Sequence, residues 1–164
     1  LKKLGVMVSG DIGCYTLGAL PPFKALSSCV DMGASITMAK GAADAGLFPA
    51  IAVIGDSTFT HSGMTGLLDA VNDKSNITVI ISDNLTTGMT GGQDSQGTGK
   101  LEAICSGLGV DPAHIRVVVP LPKNMEEIKQ TLREEVAYNG VSVVIPRREC
   151  IQTFKRHSKE KKNN

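Results

Sequence analysis

The apolar residues of this chain gather in short unbroken runs instead of alternating with polar ones. Residues 4–8, 51–54, 77–82, 115–119 and 141–145 are such runs, rich in Val, Ile or Leu. A strand covered on both faces reads this way, because neither face leaves room for polar side chains. Helical patterns fill the intervals. Residues 33–45 are mostly small, so that helix approaches a neighbour or a ligand closely, although its glycines lower its intrinsic stability. Residues 64–71 follow Gly63. Residues 101–108 end at Gly109, a suitable C-terminal cap. Residues 125–137 carry the clearest period, with Met125, Ile128, Leu132 and Val136 on one face. Asn124, with Glu127 three residues on, predicts a capping-box-like start there. Strands alternating with helices predict an α/β doubly wound, mainly parallel sheet with helices on both faces and right-handed crossovers.

One stretch fits neither period. Residues 84–100, NLTTGMTGGQDSQGTGK, have no hydrophobic repeat, and a loop of that length in a compact domain is usually functional or disordered. The last ten residues, KRHSKEKKNN, are polar and basic. The chain therefore divides into one domain, 1–150, and a solvated basic tail, 151–164, with a phosphate- or RNA-binding tail as the lesser alternative.

Composition narrows the function classes. The 164 residues suit one domain, and 41% hydrophobic with 20% charged residues is the balance of a globular domain with a real core. A formal net charge of +1 gives no general case for nucleic-acid binding. No apolar stretch approaches the roughly 18 residues of a membrane span, and no signal-peptide pattern opens the chain. The first residue is Leu1, not Met, which predicts a fragment of a longer protein. The four cysteines, Cys14, Cys29, Cys105 and Cys150, have no metal-clip spacing, which argues against a zinc or iron–sulfur site built by this chain alone. A disulfide framework does not suit this size and composition. Reduced thiols in a cytoplasmic protein are expected.

The candidate chemistry sits where the strands end. In open α/β sheets, ligands bind beyond the carboxyl ends of the strands. Gly10-Asp11-Ile12-Gly13-Cys14, Gly55-Asp56-Ser57 and Asp83-Asn84 occupy such positions. Backbone N–H groups there, with the hydroxyls of Ser57 and Thr58, suit phosphate oxygens. Asp56 and Asn84 are hard oxygen donors separated by one helix and one strand. Consecutive parallel strands bring both to one sheet edge, where a backbone carbonyl and diphosphate oxygens complete a set suited to Mg²⁺. The plainer alternative makes Asp56 and Asn84 two helix N-caps.

The surrounding words narrow the choice. GDIGCYTLG (10–18), MGASI (32–36), GDSTFTHSG (55–63) and DNLTTGMTGGQ (83–93), in that order, resemble the thiamine diphosphate (TPP)-binding domain of the large (alpha) subunit of indolepyruvate ferredoxin oxidoreductases. The resemblance covers roughly residues 10–148. It implies TPP and Mg²⁺ as cofactors, with the side chains of Asp56 and Asn84 and the Thr86 carbonyl on the metal. Gly55, Ser57 and Thr58 would contact diphosphate oxygens, and Gly13 and Cys14 would lie beside the cofactor. Met32 and Gly33 would approach its aminopyrimidine, while Thr87, Gly88 and Thr90 open a lid over the diphosphate. The implied reaction is oxidative decarboxylation of an arylpyruvate, with the cofactor as electron sink and the protein supplying orientation and electrostatics. Electrons would leave through iron–sulfur clusters to ferredoxin, and coenzyme A would take the acyl group.

The resemblance also implies partners: an upstream pyrimidine-binding domain of the same subunit, which carries the cofactor-activating Glu, and a smaller partner subunit, within an oligomer. Neither that domain nor a ferredoxin-like cysteine cluster occurs in these 164 residues. The clusters are therefore expected elsewhere in the complex, and the chain alone is expected to bind TPP weakly and not turn over. No nucleic-acid or membrane partner is expected. Two alternatives stand beside this reading: the TPP domain of a non-oxidative 2-oxoacid decarboxylase or synthase, and a non-catalytic TPP-like assembly or regulatory module.

No residue is assigned as catalytic. His61 reads either as facing substrate or diphosphate, or as bonded locally at a helix start. His114 and His157 read as surface residues. Asp11 either orders the first loop through backbone N–H groups or touches the cofactor. Asp31 either caps the helix near Gly33 or touches the cofactor. Asp83 either supports the Asn84 turn or faces the sheet edge. Cys14 reads as a packing residue, and Cys29 and Cys105 as core thiols. Arg147 and Arg148 read as surface charges, with a partner-subunit contact as the alternative.

Overall fold

A computed structural model describes residues 6–155 of the chain. Six parallel strands form its sheet: β1 (Met7–Gly10), β2 (Ser28–Cys29), β3 (Ala50–Gly55), β4 (Ile77–Ser82), β5 (Ile115–Val118) and β6 (Val141–Pro146). Their order is β2-β1-β3-β4-β6-β5. The helices are α1 (Ala34–Asp44), α2 (Asp56–Thr58), α3 (Met64–Asn72), α4 (Leu101–Gly107) and α5 (Met125–Ala137), with a π-helical turn, Phe59–Gly63, joining α2 to α3.

The unbroken apolar runs are explained by two cores, one on each side of the sheet. Ala50, Ala52 and Ile54 of β3 pack with Val79 and Ile81 of β4 beneath Ile36 of α1, Leu67 of α3 and Leu101 of α4. The intervening residues Ile51, Val53 and Ile80 point the other way, toward Val136, Ile128 and Leu132 of α5. Strand alternation therefore persists, but both phases are apolar.

Four of the five expected strands lie within one residue of the observed bounds. The first is shifted: the strand is Met7–Gly10, and residues 4 and 5 lie outside the described residues. β2 was not legible, since Ser28 and Cys29 form no apolar run; Cys29 is exposed, not a core thiol, and its Sγ donates to the Asp11 carbonyl. Cys105 is buried as expected. Of the expected tail, residues 151–155 are helical, and residues 156–164, with His157, lie outside the described residues.

The helix ends show what the local signals could and could not reach. Gly109 takes φ +97° after α4, its N–H donates to Ser106 O, and Val110 N–H donates to Cys105 O, the paired bonds of a Schellman cap. Asn124 does not cap α5; its Nδ2 donates to Val119 O at 3.0 Å. A 3-10 turn, Pro122–Asn124, already leads into the helix and supplies the Met125 N–H with Pro122 O. At α1, the cap comes from a distance. Asp11, fully buried, accepts Ser35 N–H on Oδ1 and Ser35 Oγ–H on Oδ2 at 2.9 Å. Asp31 contributes its backbone carbonyl to Ala34 N–H.

At the amino ends of the strands, His114 is not a free surface residue. Its Nδ1 lies 2.8 Å from Oε2 of the buried Glu135, Arg116 donates to Oε1 at 3.1 Å, and the His114 ring stacks on Tyr138. The hydroxyls of Thr78 and Ser142 both donate to the Glu135 carbonyl at 3.1 Å. This polar node ties α5 to β4, β5 and β6 at the end of the sheet opposite the candidate site.

Strand order also places the site. The chain leaves β1 for β2 on one side and returns to β3 on the other, so the loops after β1 and β3 diverge. Such a switch point leaves a crevice at the carboxyl ends. None of the described helices is long and apolar enough to cross a membrane.

Candidate cofactor-binding site

A cleft of about 270 Å³ opens at that switch point. The β1 loop lines it with Ile12, Gly13, Cys14 and Tyr15, and the turn into α2 lines it with Gly55, Asp56, Ser57 and Thr58. Asn84, Thr86, Thr87, Gly88, Met89 and Thr90 of the β4 loop contribute, as do Met32 and Ser82. The walls are tied across the gap. Ser57 Oγ and Thr87 Oγ1 are 2.9 Å apart, and Thr58 Oγ1 donates to Ile12 O at 3.4 Å. A methyl group on Gly88 would stand 3.5 Å from Asn84 Nδ2 and 3.6 Å from Cys14 Sγ, so the first and last loops meet there.

Asp56 begins the helix and is 3% exposed. Its Oδ2 is buried with no hydrogen-bond partner among the described residues, and neither has the Ser95 hydroxyl. Burial pushes the Asp56 carboxyl above its ordinary range; the Ser95 hydroxyl and the Ser57 N–H oppose this, and the charge of Asp83 adds to it. The hydroxyl stands close enough to favour the charged form but outside hydrogen-bond geometry. A buried carboxylate oxygen without a partner is costly, a cost that either a proton or a bound cation would relieve. Asn84 and Thr86 share this cleft, and the Asn84 Oδ1 accepts Thr86 N–H at 3.1 Å. No group of three or more His, Cys, Asp or Glu residues arranged to hold a metal ion by themselves occurs among the described residues. The cleft therefore offers one buried carboxylate, on Asp56, beside the Asn84 amide and the Thr86 backbone. It suits a cation that also takes ligand oxygens, as Mg²⁺ does with diphosphates.

The π turn holds this start in place. Thr60 Oγ1 donates to Asp56 O at 3.3 Å and to Ser57 O at 3.1 Å. π turns inside helices often mark functional sites. The 84–100 loop is built on itself: Thr86 Oγ1 and Thr87 N–H both donate to Gln93 O at 2.8 Å, and Gln93 bonds Thr90 through its side chain. The loop's first half forms a cleft wall. Its second half returns to the π turn, where a methyl on Gly97 would meet Thr60 Cγ2 at 2.9 Å.

Of the residues singled out from sequence, Gly13, Cys14, Met32, Gly55, Asp56, Ser57, Thr58, Asn84, Thr86, Thr87, Gly88 and Thr90 line one cleft. Gly33 does not. It packs on the π turn, and a Cβ there would stand 2.7 Å from Ser62 O. His61 is exposed on the π turn, outside the cleft. Asp83 supports the Asn84 turn, with Oδ1 accepting Leu85 N–H at 3.1 Å. Sequence reasoning missed Tyr15, whose OH accepts Asp11 N–H at 2.8 Å and stiffens the β1 loop. Its place beside Gly13-Cys14 was the available signal. Burial raises the Tyr15 hydroxyl's pKa.

The profile described as "Thiamine pyrophosphate enzyme, C-terminal TPP binding domain" matches residues 11–145. The chain belongs to this family. Among curated relatives, the indolepyruvate oxidoreductase subunit IorA of Pyrococcus abyssi is 37% identical, the match covering 85% of this chain and 25% of that protein. The IorA subunit of Archaeoglobus fulgidus is 39% identical, covering 85% of this chain and 24% of that protein. The chain thus spans about a quarter of the length of the curated relatives it matches. Among solved structures, the 2-oxoglutarate:ferredoxin oxidoreductase of Magnetococcus marinus superposes with a TM-score of 0.69 at 17% identity, over 88% of this chain and 54% of that one. That likeness is one of fold. The cleft of this TPP-binding domain therefore lies where a parallel α/β sheet places its ligand, and the resemblance in the four sequence words agrees with the family and with these relatives.

Proposed function

We propose that this chain is the Mg²⁺- and diphosphate-binding domain of a TPP-dependent 2-oxoacid ferredoxin oxidoreductase acting on arylpyruvates, indolepyruvate among them. The observation that supports the cofactor assignment is the buried, unpartnered Oδ2 of Asp56 in a cleft shared with Asn84 and Thr86. Asp56, the Asn84 side chain and the Thr86 carbonyl would hold Mg²⁺. Gly55, Ser57 and Thr58 would take the diphosphate, with the Ser57–Thr87 hydroxyl pair free to turn either proton toward an anionic oxygen. Gly13 and Cys14 would flank the cofactor, Met32 would approach its aminopyrimidine, and Thr86 to Thr90 would cover the diphosphate from the β4 side. TPP, when bound, supplies the electron sink for decarboxylation. The arylpyruvate assignment rests on the indolepyruvate oxidoreductase relatives. By the same reasoning an upstream pyrimidine-binding domain, a smaller partner subunit, iron–sulfur clusters elsewhere in the complex, ferredoxin and coenzyme A complete the reaction.

Titrating TPP into the full-length subunit by calorimetry, with and without Mg²⁺, tests this. Binding is expected only with Mg²⁺, and Asp56→Ala is expected to weaken it on the order of 100-fold, at least the loss seen when groups supporting metal ligands are removed. Unchanged binding in Asp56→Ala would overturn the metal assignment. Ferredoxin-linked CO₂ release that prefers small aliphatic 2-oxoacids to indolepyruvate would overturn the substrate assignment.

A further inference from the structure

Arg147 follows the last strand, yet it is not a free surface charge. Its Nε donates to Asp83 Oδ2, and Nη1 and Nη2 donate to Glu102 Oε1 and Oε2 at 2.8 and 2.7 Å. Asp83 immediately precedes Asn84. Glu102 is the second residue of α4, just after the 84–100 loop closes at Lys100. One planar group therefore grips both roots of the loop that presents Asn84 and Thr86.

The grip reaches the donor atoms through few intermediates. The other oxygen of Asp83 accepts the N–H of Leu85, which sits at φ +61° between Asn84 and Thr86. A non-glycine residue in that left-handed conformation needs its surroundings to hold it there. The backbone adds parallel ties: Asp83 N–H to Pro146 O, Arg148 N–H to Asp83 O, and Cys150 N–H to Asn84 O. A guanidinium suits this junction, because its flat fork serves a bidentate carboxylate and a second acceptor at once; an ammonium is a point charge that cannot span both. Asp83 also bears electrostatically on Asp56, and the ion pair with Arg147 leaves Asp56 as the carboxylate offered to the cleft.

We infer that Arg147 is a positioning residue: by stapling Asp83 to Glu102 it sets the turn that presents Asn84 and the Thr86 carbonyl to the cleft cation. This role rests on the proposed Mg²⁺–TPP reading.

The test uses the full-length subunit, with Arg147→Lys and Glu102→Gln. TPP binding is measured by calorimetry across a Mg²⁺ series, proteolysis within residues 84–100 is followed without cofactor, and thermal midpoints are recorded. In Arg147→Lys the Mg²⁺ concentration for half-maximal TPP binding is expected to rise about tenfold or more, the scale seen for groups that orient metal ligands. TPP affinity at saturating Mg²⁺ is expected to return to the wild-type value, and cleavage in the loop to accelerate. Glu102→Gln, which alters a partly exposed side chain, should show the same shift to a smaller degree and decides the matter if Arg147→Lys does not fold. Wild-type Mg²⁺ dependence in the folded variants overturns the role. So does an affinity loss that persists at saturating Mg²⁺ alongside a lowered midpoint, which marks a merely structural residue. A wild-type subunit that binds no TPP overturns the functional reading, and with it this role; normal wild-type binding with unchanged variants removes only Arg147.

Discussion

Asp56 sits at the first position of α2 with one oxygen unpartnered, and burial holds its carboxyl above the ordinary value of 3.8. Its folded form therefore binds a proton more tightly than the unfolded chain does. The sign follows: with the cation absent, stability is lost as pH rises from 3.8 through the raised folded value, then levels off. Asp56→Asn keeps the shape and removes the charge. The apo variant is expected to be more stable than wild type at neutral pH by about 1–3 kcal/mol, the scale of an unsatisfied buried group, with the difference shrinking toward about pH 4. Mg²⁺ with TPP should raise the wild-type unfolding midpoint and leave the variant's unchanged. Unfolding curves across the pH range check both statements, and an Asn variant less stable than wild type at neutral pH would contradict the sign.

The start of α1 depends on two features that lie far apart in the chain. Gly33 takes φ +92° with its Cβ direction blocked by Ser62 O at 2.7 Å, so Gly33→Ala combines backbone strain with overpacking. A loss of about 2–4 kcal/mol is expected from denaturant unfolding. Ser35→Ala removes one of two bonds to the buried Asp11 and should cost less, about 1–2 kcal/mol. Equal stability of Gly33→Ala and wild type would show that the π turn gives way. These elements also explain what the chain's pattern disclosed. β3, β4 and β6 were legible because both faces are apolar, and the loops at their ends follow directly, which brought Asp56 and Asn84 into view. β2, the π turn and the cap on α1 were not, because they depend on tertiary placement: Asp11 lies 24 positions from Ser35, and Arg147 lies 64 from Asp83. No local period reaches across such gaps. Gly33 is similar: the need for glycine there comes from the Ser62 carbonyl against its Cβ direction, which only the folded structure displays.

Six of the fifteen exposed large apolar side chains among the described residues lie on one segment. Between β1 and α1, by way of β2, the chain exposes Ile12, Leu17, Leu20, Phe23, Val30 and Met32, and the first and last of these line the cleft. Scattered apolar residues on a surface need no explanation, but six on one segment that borders the cleft suit a face covered by another part of the protein. The IorA relatives are about four times as long as the matched region, so such proteins have the material to cover it. If the cleft works only when that face is covered, the domain produced alone should bind TPP with Mg²⁺ at least about tenfold more weakly than the full-length subunit, because the cofactor loses one side of its enclosure and the β1 loop loses its support. Hydrogen exchange separates this from a damaged fold. Amides of residues 12–32 should exchange faster in the isolated domain than in the full-length subunit, whereas those of β3 and β4, buried in the sheet, should not differ. Equal exchange across 12–32 in the two proteins, or equal TPP affinity, would mean that the apolar path is left open and that the cleft is complete within this domain.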